Sequence, residues 1–544
     1  MRIADAMMKY LELNEVECIF GIAAGTTSSI VDAIIDTKIQ QITVRHEGAA
    51  SYCANAYSGM SNKLGVCMVG GIGAANALTG IYAAKRDKNP VLIITGGVQR
   101  EQMGKGAIQE LDTETMFSGC TRYSKMVQKE DVLSELKKAI ELALTPPFAP
   151  VHICIPMDLQ KSEFTGELPS KVDTRFLDMD LSQYNDSIIK ATDIINKEEK
   201  GIIMVGKGAR GFSKEIKELS KRLQWPIITT PQAKGVIPTN FEINLGNYGF
   251  QSTDLAYDYV KNGQATCLLV LGSSLGESAT LNYNPMLVKN RKVIHIDWDF
   301  KELGKTFETD VKINSDLKMA LSDILKMVNK KEEKFERKLP LNKVYEKNHT
   351  GLSIRVFLEE IIKVLPKDTQ YICDIGEFMN FVFKYLSIDE ESDFDMSLNY
   401  GAMGSGVGSA VGVSMAKPNK PVAVIVGDGS FLMNGMEIIT AKEYNRPIIY
   451  FVVNNAMLSY VEYGHKFIYG RTLPGFRQER IELAQMTKAM GINSMKISSI
   501  EDVVKVKEFI TDLDRPYVIE LVTDGSERPA VADRFKALAK INTI

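Results

Sequence analysis

The run Val422-Ala-Val-Ile-Val426 ends in Gly427-Asp428-Gly429-Ser430, and 24 residues separate Gly429 from Asn454-Asn455. A helical stretch, Phe431–Tyr444, fills most of that gap, and Pro447 opens a second apolar run, Ile448–Val453. The spacing suits one crossover helix between two parallel strands. It sets both polar clusters at the carboxyl ends of adjacent strands, where open α/β sheets bind ligands. Asp428 offers a carboxylate oxygen and Asn455 an amide oxygen. Together with phosphate oxygens these suit Mg²⁺, which is seldom caged by protein alone. Gly427 and Gly429 let the backbone approach a phosphate, and the following helix start favours its charge.

The chain has 544 residues, too many for one core, and at about 150 residues per domain it divides into three or four. Hydrophobic residues make up 45% and charged residues 24%, which excludes disorder and a disulfide scaffold. Lys+Arg (65) nearly balances Asp+Glu (68), so there is no electrostatic footprint for nucleic acid or anionic lipid. The seven scattered cysteines form no CxxC pair, arguing for reduced thiols in a cytoplasmic setting and against a cysteine-based zinc site. The first twenty residues mix charges into a helical pattern rather than a signal peptide, and no apolar run is long enough for a membrane span. Short β-branched runs alternate with helical patterns throughout, which reads as an α/β fold with parallel sheets. Buried strands are predicted at Val66–Val69, Val91–Thr95, Val151–Ile155, Ile202–Val205, Ile227–Thr230, Leu268–Leu271, Val293–Ile296, Val422–Val426 and Ile448–Val453. The aperiodic stretch after Pro156 and the charged run Lys330–Lys338 read as linkers, giving domains of 1–165, 185–330 and 350–544.

The middle domain carries a literal GxGxxG, Gly206-Lys-Gly208-Ala-Arg-Gly211, directly after a strand. A dinucleotide fingerprint also needs an acidic residue about 20 positions on, to hold the ribose. The next strand ends instead in Thr229-Thr230-Pro231. The segment therefore reads as a Rossmann-like domain without nicotinamide. Gly104-Lys105 lacks the spacing and the Ser/Thr of a Walker A loop.

The Gly427–Asn455 arrangement resembles the diphosphate-binding motif of thiamine-diphosphate-dependent enzymes, and the likeness extends along the chain. Arg45-His46-Glu47-Gly-Ala-Ala50 is similar to the family's pyrimidine-domain segment, and Gly401-Ala-Met403-Gly404 to its cofactor-wedge segment. The resemblance implies three α/β domains, each a mainly parallel sheet flanked by helices: pyrimidine-binding, central Rossmann-like and diphosphate-binding. It implies that Glu47 bonds N1′ of the aminopyrimidine and so favours the tautomer that can take the C2 proton. It gives the Gly401 carbonyl to the 4′-amino group and places Met403 beneath the bent cofactor. Gly427, Asp428, Gly429, Ser430 and Asn455 would bind the diphosphate, with Asp428, Asn455 and the Met457 carbonyl on Mg²⁺. In the family the pyrimidine and diphosphate domains meet across a subunit boundary, which implies a homodimer or homotetramer with active sites at subunit interfaces.

The layout is closest to the acetohydroxyacid (acetolactate) synthase-like branch, whose segment order recurs in Gly73-Ala-Ala-Asn76, Thr79-Gly80, Pro90–Gly97 and Lys105-Gly-Ala-Ile-Gln109-Glu. The five histidines (His46, His152, His295, His349, His465) include no adjacent pair, unlike decarboxylases of the pyruvate decarboxylase type. Three departures touch the substrate side and a fourth the diphosphate side. Ser273–Glu277 replaces an arginine-containing segment that meets an acceptor carboxylate, which a bidentate cation would suit. Gly464 stands in place of a tryptophan, Ala23-Ala24 in place of Pro-Gly, and Gly376-Glu377-Phe378 in place of a Gln-His pair near the diphosphate. The implied activity is a carboligase that decarboxylates a pyruvate-like 2-oxo acid and transfers the acyl carbanion to a carbonyl acceptor. Gln109, Tyr460 and His465 are candidate substrate-side groups. Alternatives are decarboxylation or C–C lysis without ligation, flavin-dependent 2-oxo acid oxidation, and a non-catalytic homologue. FAD is possible for the glycine-rich middle domain but has no motif to support it.

Overall fold

The computed structural model describes residues 1–173, 180–343 and 351–527; His349 lies outside them. Three six-stranded sheets follow one another along the chain, and every ladder pair within them is parallel. The first contains β1 (Cys18–Gly21), β2 (Gln40–Thr43), β3 (Gly65–Val69), β4 (Val91–Gly97), β5 (Tyr123–Met126) and β6 (Val151–Pro156), in the order β2-β1-β3-β4-β6-β5. The second contains β7 (Gly201–Val205), β8 (Ile227–Thr229), β9 (Asn244–Asn247), β10 (Cys267–Leu271), β11 (Lys292–Asp297) and β12 (Val311–Asn314), in the order β12-β11-β10-β7-β8-β9. This is the doubly wound order of dinucleotide folds. The third contains β13 (Gln370–Cys373), β14 (Phe394–Asp395), β15 (Val422–Gly427), β16 (Ile448–Asn454), β17 (Asn493–Ile497) and β18 (Tyr517–Val522). Its order, β14-β13-β15-β16-β18-β17, repeats the topology of the first sheet strand for strand.

Strands buried on both faces must be largely apolar, as β3, β7 and β10 are throughout and β16 is up to its final Asn454. The first and third domains share a single apolar cluster, joining Phe20, Ala50 and Cys67 to Val407, Val424 and Tyr450. Two small-residue helices make that possible, Glu47–Ser61 and Ser405–Ala416. Gly408 lies against Ala49 and Tyr52, and Cys53 Sγ donates to the Gly408 carbonyl at 2.8 Å. The middle sheet has its own clusters on both faces. No helix among the described residues is long and apolar enough to cross a membrane, and all seven cysteines are free and buried.

The nine predicted strands are all present, within a residue or two at either end. The predicted single helix Phe431–Tyr444 is instead two, Asp428–Asn434 and Glu437–Glu443. They part at Gly435, where a Cβ would come within 2.4 Å of the Phe431 carbonyl. The charged run 330–338 packs on the middle domain: Lys331 is buried and donates to the Asn196 carbonyl at 2.8 Å.

Candidate active site

In the third sheet the strand order reverses between β13 and β15, so the loops leaving those two parallel strands flank a crevice. The β13 loop carries Asp374-Ile-Gly-Glu377, and the β15 loop carries Asp428. β16 pairs with β15 so that Val453 faces Gly427, which brings Asn455 alongside. Asp428 is held from two directions: Oδ1 accepts from Gly429 N at 2.8 Å and Oδ2 from Ala456 N at 2.7 Å. Burial pushes its pKa up, against those amides and the charge of Arg480. Asn455 donates through Nδ2 to Ser459 Oγ at 2.6 Å and accepts through Oδ1 from Met457 N at 3.1 Å, which sets the orientation of the amide. Between Asn455 and Met457, Ala456 adopts φ +55°, a left-handed conformation uncommon for a residue with a Cβ. Such strain persists where the surroundings demand it. Here it turns the chain so that the Ala456 amide meets Asp428.

A pocket surrounds these groups, lined by Gly427, Asp428, Gly429, Ser430, Asn455 and Met457. Neither lysine nor arginine lines it among the described residues. Met403 forms its floor. A Cβ on Gly429 would lie 3.3 Å from Met403 Cε and 3.5 Å from Leu458 Cδ2, so the glycine keeps space open at this point. Ser430 is buried and donates to the Ile375 carbonyl at 3.0 Å, joining the two loops. Gly401 has φ +75° and Gly404 φ +80°, and they bracket the Met403 turn.

Asp374 was not anticipated from the sequence, and it ties the β13 loop to the Gly404–Val407 segment. It is fully buried. Oδ1 accepts from Ile375 N (2.6 Å) and Gly404 N (2.9 Å), and Oδ2 from Gly406 N (2.7 Å) and Val407 N (3.3 Å). Burial raises its pKa to about 6 in spite of these amides. The signal that could have found it is the Asp-x-Gly directly after a short apolar run, an echo of Gly-Asp-Gly after β15. Glu377, from the same loop, is buried and also lines the pocket.

Glu47 opens the helix Glu47–Ser61 and is half-buried. The helix is capped by His46, whose Nδ1 accepts from Gly48 N at 3.1 Å. Asn76 Nδ2 donates to Glu47 Oε2 at 2.9 Å, and a Cβ on Gly73 would lie 2.8 Å from Oε1. The segment Gly73–Asn76 thus gives the carboxylate room and a donor. Glu47 is absent from the lining of the pocket around Asp428.

The candidate substrate residues are dispersed. Tyr460 lines the Asp428 pocket and also a cavity of about 1450 Å³ where the three domains meet; the two spaces share Ile375, Gly376, Met403 and Val461 as well. Gln109 sits exposed at φ +68° in a first-domain loop that Glu110 closes on the amides of Gly104 and Ala107. His465 lies on the outer part of the helix Ser459–Tyr469, with Nδ1 2.6 Å from the Arg471 carbonyl and the ring against Tyr469 and Phe476.

The GxGxxG loop borders the large cavity, yet its polar groups are spent on protein. The amides of Gly206 and Gly208 bond the carbonyls of Leu271 and Gly272, and those of Ala209 and Arg210 bond within the loop. Lys207 pairs with Asp87 of the first domain and Asp395 of the third, both at 3.6 Å. Arg210 lies 3.5 Å from Asp393 and 3.7 Å from Asp395, and donates to the Gly59 carbonyl at 3.0 Å. The loop fastens the three domains together.

Comparison with known proteins agrees with the three-domain fold. The family model for the N-terminal TPP-binding domain of thiamine pyrophosphate enzymes matches residues 1–116; the central-domain model matches 188–324, and the C-terminal TPP-binding model 374–521. The chain is 30% identical to a probable acetolactate synthase large subunit of Methanocaldococcus jannaschii, over 97% of this chain and 93% of that protein. It is 31% identical to the acetolactate synthase large subunit of Lactococcus lactis, over 96% and 93%. The corresponding protein of Haemophilus influenzae is 29% identical, over 96% and 95%. The chain belongs to the thiamine pyrophosphate enzymes, on their acetolactate synthase-like branch, and is a thiamine-diphosphate-dependent enzyme of carbon–carbon bond chemistry.

Proposed function

We propose that the chain is a Mg²⁺-dependent carboligase that decarboxylates a pyruvate-like 2-oxo acid and passes the acyl group to a carbonyl acceptor. The observation that carries this reading is the convergence of Asp428, Asn455 and the Met457 segment on one glycine-lined pocket without a basic side chain among the described residues. A diphosphate there needs a cation, and one carboxylate, one amide oxygen and one main-chain carbonyl are the hard donors Mg²⁺ accepts alongside phosphate oxygens. Those donors fit the ion, and Gly429 keeps side-chain atoms away from Met403, above which the cofactor would bend. Thiamine diphosphate, when bound, supplies the electron sink for loss of carbon dioxide.

The protein's own part is orientation and proton handling. Glu47, steadied by Asn76, would hold a proton against the aminopyrimidine nitrogen. Met403 would set the cofactor's bend from below. Gly401, Gly427, Gly429 and Ser430 would line its two ends, while Tyr460 faces the route in from the large cavity. Glu47 and Asp428 of one site would come from different copies of the chain. Supporting this, apolar side chains stand exposed near both: Ile72 beside Gly73, Ile108 (92% exposed) beside Gln109, and Leu432, Met433 and Met436 just beyond Asp428. A second copy that brings these faces together would cover both and complete two sites at once.

The test is a panel of 2-oxo acids, each with and without an added aldehyde or 2-oxo acid acceptor, scored for carbon dioxide and for ligated product. Ligated product, formed either with the donor acting as its own acceptor or with an added one, supports ligation. Carbon dioxide with free aldehyde under every condition refutes it.

A further inference from the structure

Glu437 is a buried acid (1% exposed) that the chemistry above does not use. It begins the helix Glu437–Glu443, two residues beyond the helix that follows Asp428. Its Oε1 accepts from Arg45 N at 2.9 Å and from His46 N at 3.2 Å, and its Oε2 from Thr440 Oγ1 at 2.7 Å. Its neighbours extend the grip. Tyr444 OH accepts from Thr43 N at 2.9 Å and donates to the Gln41 carbonyl at 3.0 Å, and Glu443 pairs with the Arg45 guanidinium. The connection from β2 to Glu47 is therefore held by side chains of the third domain.

A buried carboxylate is expensive unless it is well bonded. Its removal would leave two amides without acceptors at the start of the Glu47 helix. These amides belong to the two residues immediately before Glu47, so a shift there rotates its side chain directly. We propose that Glu437 is a positioning residue: by holding the Arg45 and His46 amides it fixes where the Glu47 carboxylate points. It also ties that direction to the diphosphate-binding segment of the same chain. The proposal rests on the reading that Glu47 acts on the aminopyrimidine.

The experiment measures hydrogen–deuterium exchange at C2 of thiamine diphosphate bound with Mg²⁺, alongside cofactor affinity, in Glu437→Met, Glu437→Gln and Glu47→Gln. Methionine keeps the volume and removes the acceptor. A misplacement near 1 Å costs on the order of 100-fold in a positioned step, so exchange in Glu437→Met should fall at least about tenfold. Cofactor affinity should stay within about threefold, a split that general loosening would not give. Glutamine keeps an oxygen for both amides and should restore exchange. Near-normal exchange in Glu437→Met overturns the proposal, as does a parallel loss of affinity and exchange. Should the methionine protein not fold, a tenfold fall in Glu437→Gln overturns it instead, and normal exchange there supports it. Normal exchange in Glu47→Gln refutes the role of Glu47 and the proposal with it. Lost exchange in Glu47→Gln with normal exchange in Glu437→Met refutes the proposal alone.

Discussion

Gly412→Ala puts two opposing effects in one substitution. Alanine in a helix interior is favoured over glycine by about 1 kcal/mol. At Gly412, however, a Cβ would lie 2.2 Å from the Cys53 carbonyl oxygen and 2.7 Å from Cys53 Cα. Both are main-chain atoms of the facing helix and cannot rotate away, so the helices Glu47–Ser61 and Ser405–Ala416 would have to part by roughly 1 Å. Overpacking of this kind costs about 1–3 kcal/mol, and the upper end applies when backbone must move. The bond from Cys53 Sγ to the Gly408 carbonyl, 2.8 Å, would stretch as well, at a cost of about 0.5 kcal/mol. Steric cost wins, by about 2 kcal/mol net. Several domains unfolding together need not be two-state, so the comparison is between midpoints of the same transition. In thermal scans followed by circular dichroism, a domain of this size should lose about 4–8 °C. An unchanged or raised midpoint would show that the helices are less closely packed than described, and would refute the argument.

Other outcomes follow from single contacts. Asp428→Asn, or chelation of divalent ions, should weaken thiamine diphosphate binding on the order of 100-fold while leaving unphosphorylated thiamine unaffected; titration calorimetry with both ligands checks it. His295 is buried with Nε2 2.8 Å from the Ser273 carbonyl and no partner for Nδ1 among the described residues, and burial pushes its pKa down to about 4. The unfolded ring protonates near pH 6.5, so its contribution to stability is present above that value and lost as pH falls towards 4. At pH 5, His295→Leu should therefore gain about 2 kcal/mol relative to the parent, and little at pH 8. Urea midpoints at the two pH values test the sign. Arg210→Met leaves Asp393 and Asp395 without their guanidinium neighbour and should destabilise the domain junction by about 3 kcal/mol. An unaltered unfolding midpoint would contradict its role as a fastener.

Legibility in the sequence followed burial. Central strands such as β4, β7, β10, β15 and β16 announce themselves as apolar runs because both faces are covered. All six edge strands, β2, β5, β9, β12, β14 and β17, were missed. Gln40–Thr43 and Asn493–Ile497 show why, since one side of an edge meets solvent or a loop and polar residues interrupt the pattern. Of the remaining misses, β18 is buried but its apolar run is broken by Glu520, and Gly21 and Gln370 cut β1 and β13 to three apolar residues each. At the candidate site, the spacing of Asp428 and Asn455 could be read directly, whereas Glu47 was reached only through the resemblance of its segment to a known family. Asp374 and Glu437 could be reached by neither route. Asp374 binds amides some thirty residues away and Glu437 binds amides in another domain, so each looks like an isolated acid until the chain is folded. The GxGxxG loop errs in the other direction. Its pattern is local and complete, but Asp87, Asp393 and Asp395, which claim its cations, come from elsewhere in the chain.

Catalysis as proposed requires sites built from Glu47 of one chain and Asp428 of another. Chains carrying Glu47→Gln and chains carrying Asp428→Ala, each with a different affinity tag, can be co-expressed and the mixed assembly isolated on both tags in turn. Each variant alone should be inactive. In a mixed dimer one site has both substitutions and the other has neither, so activity should return to about half that of the parent. A mixed dimer as inactive as its two parents would place both residues in one chain's site and contradict the account.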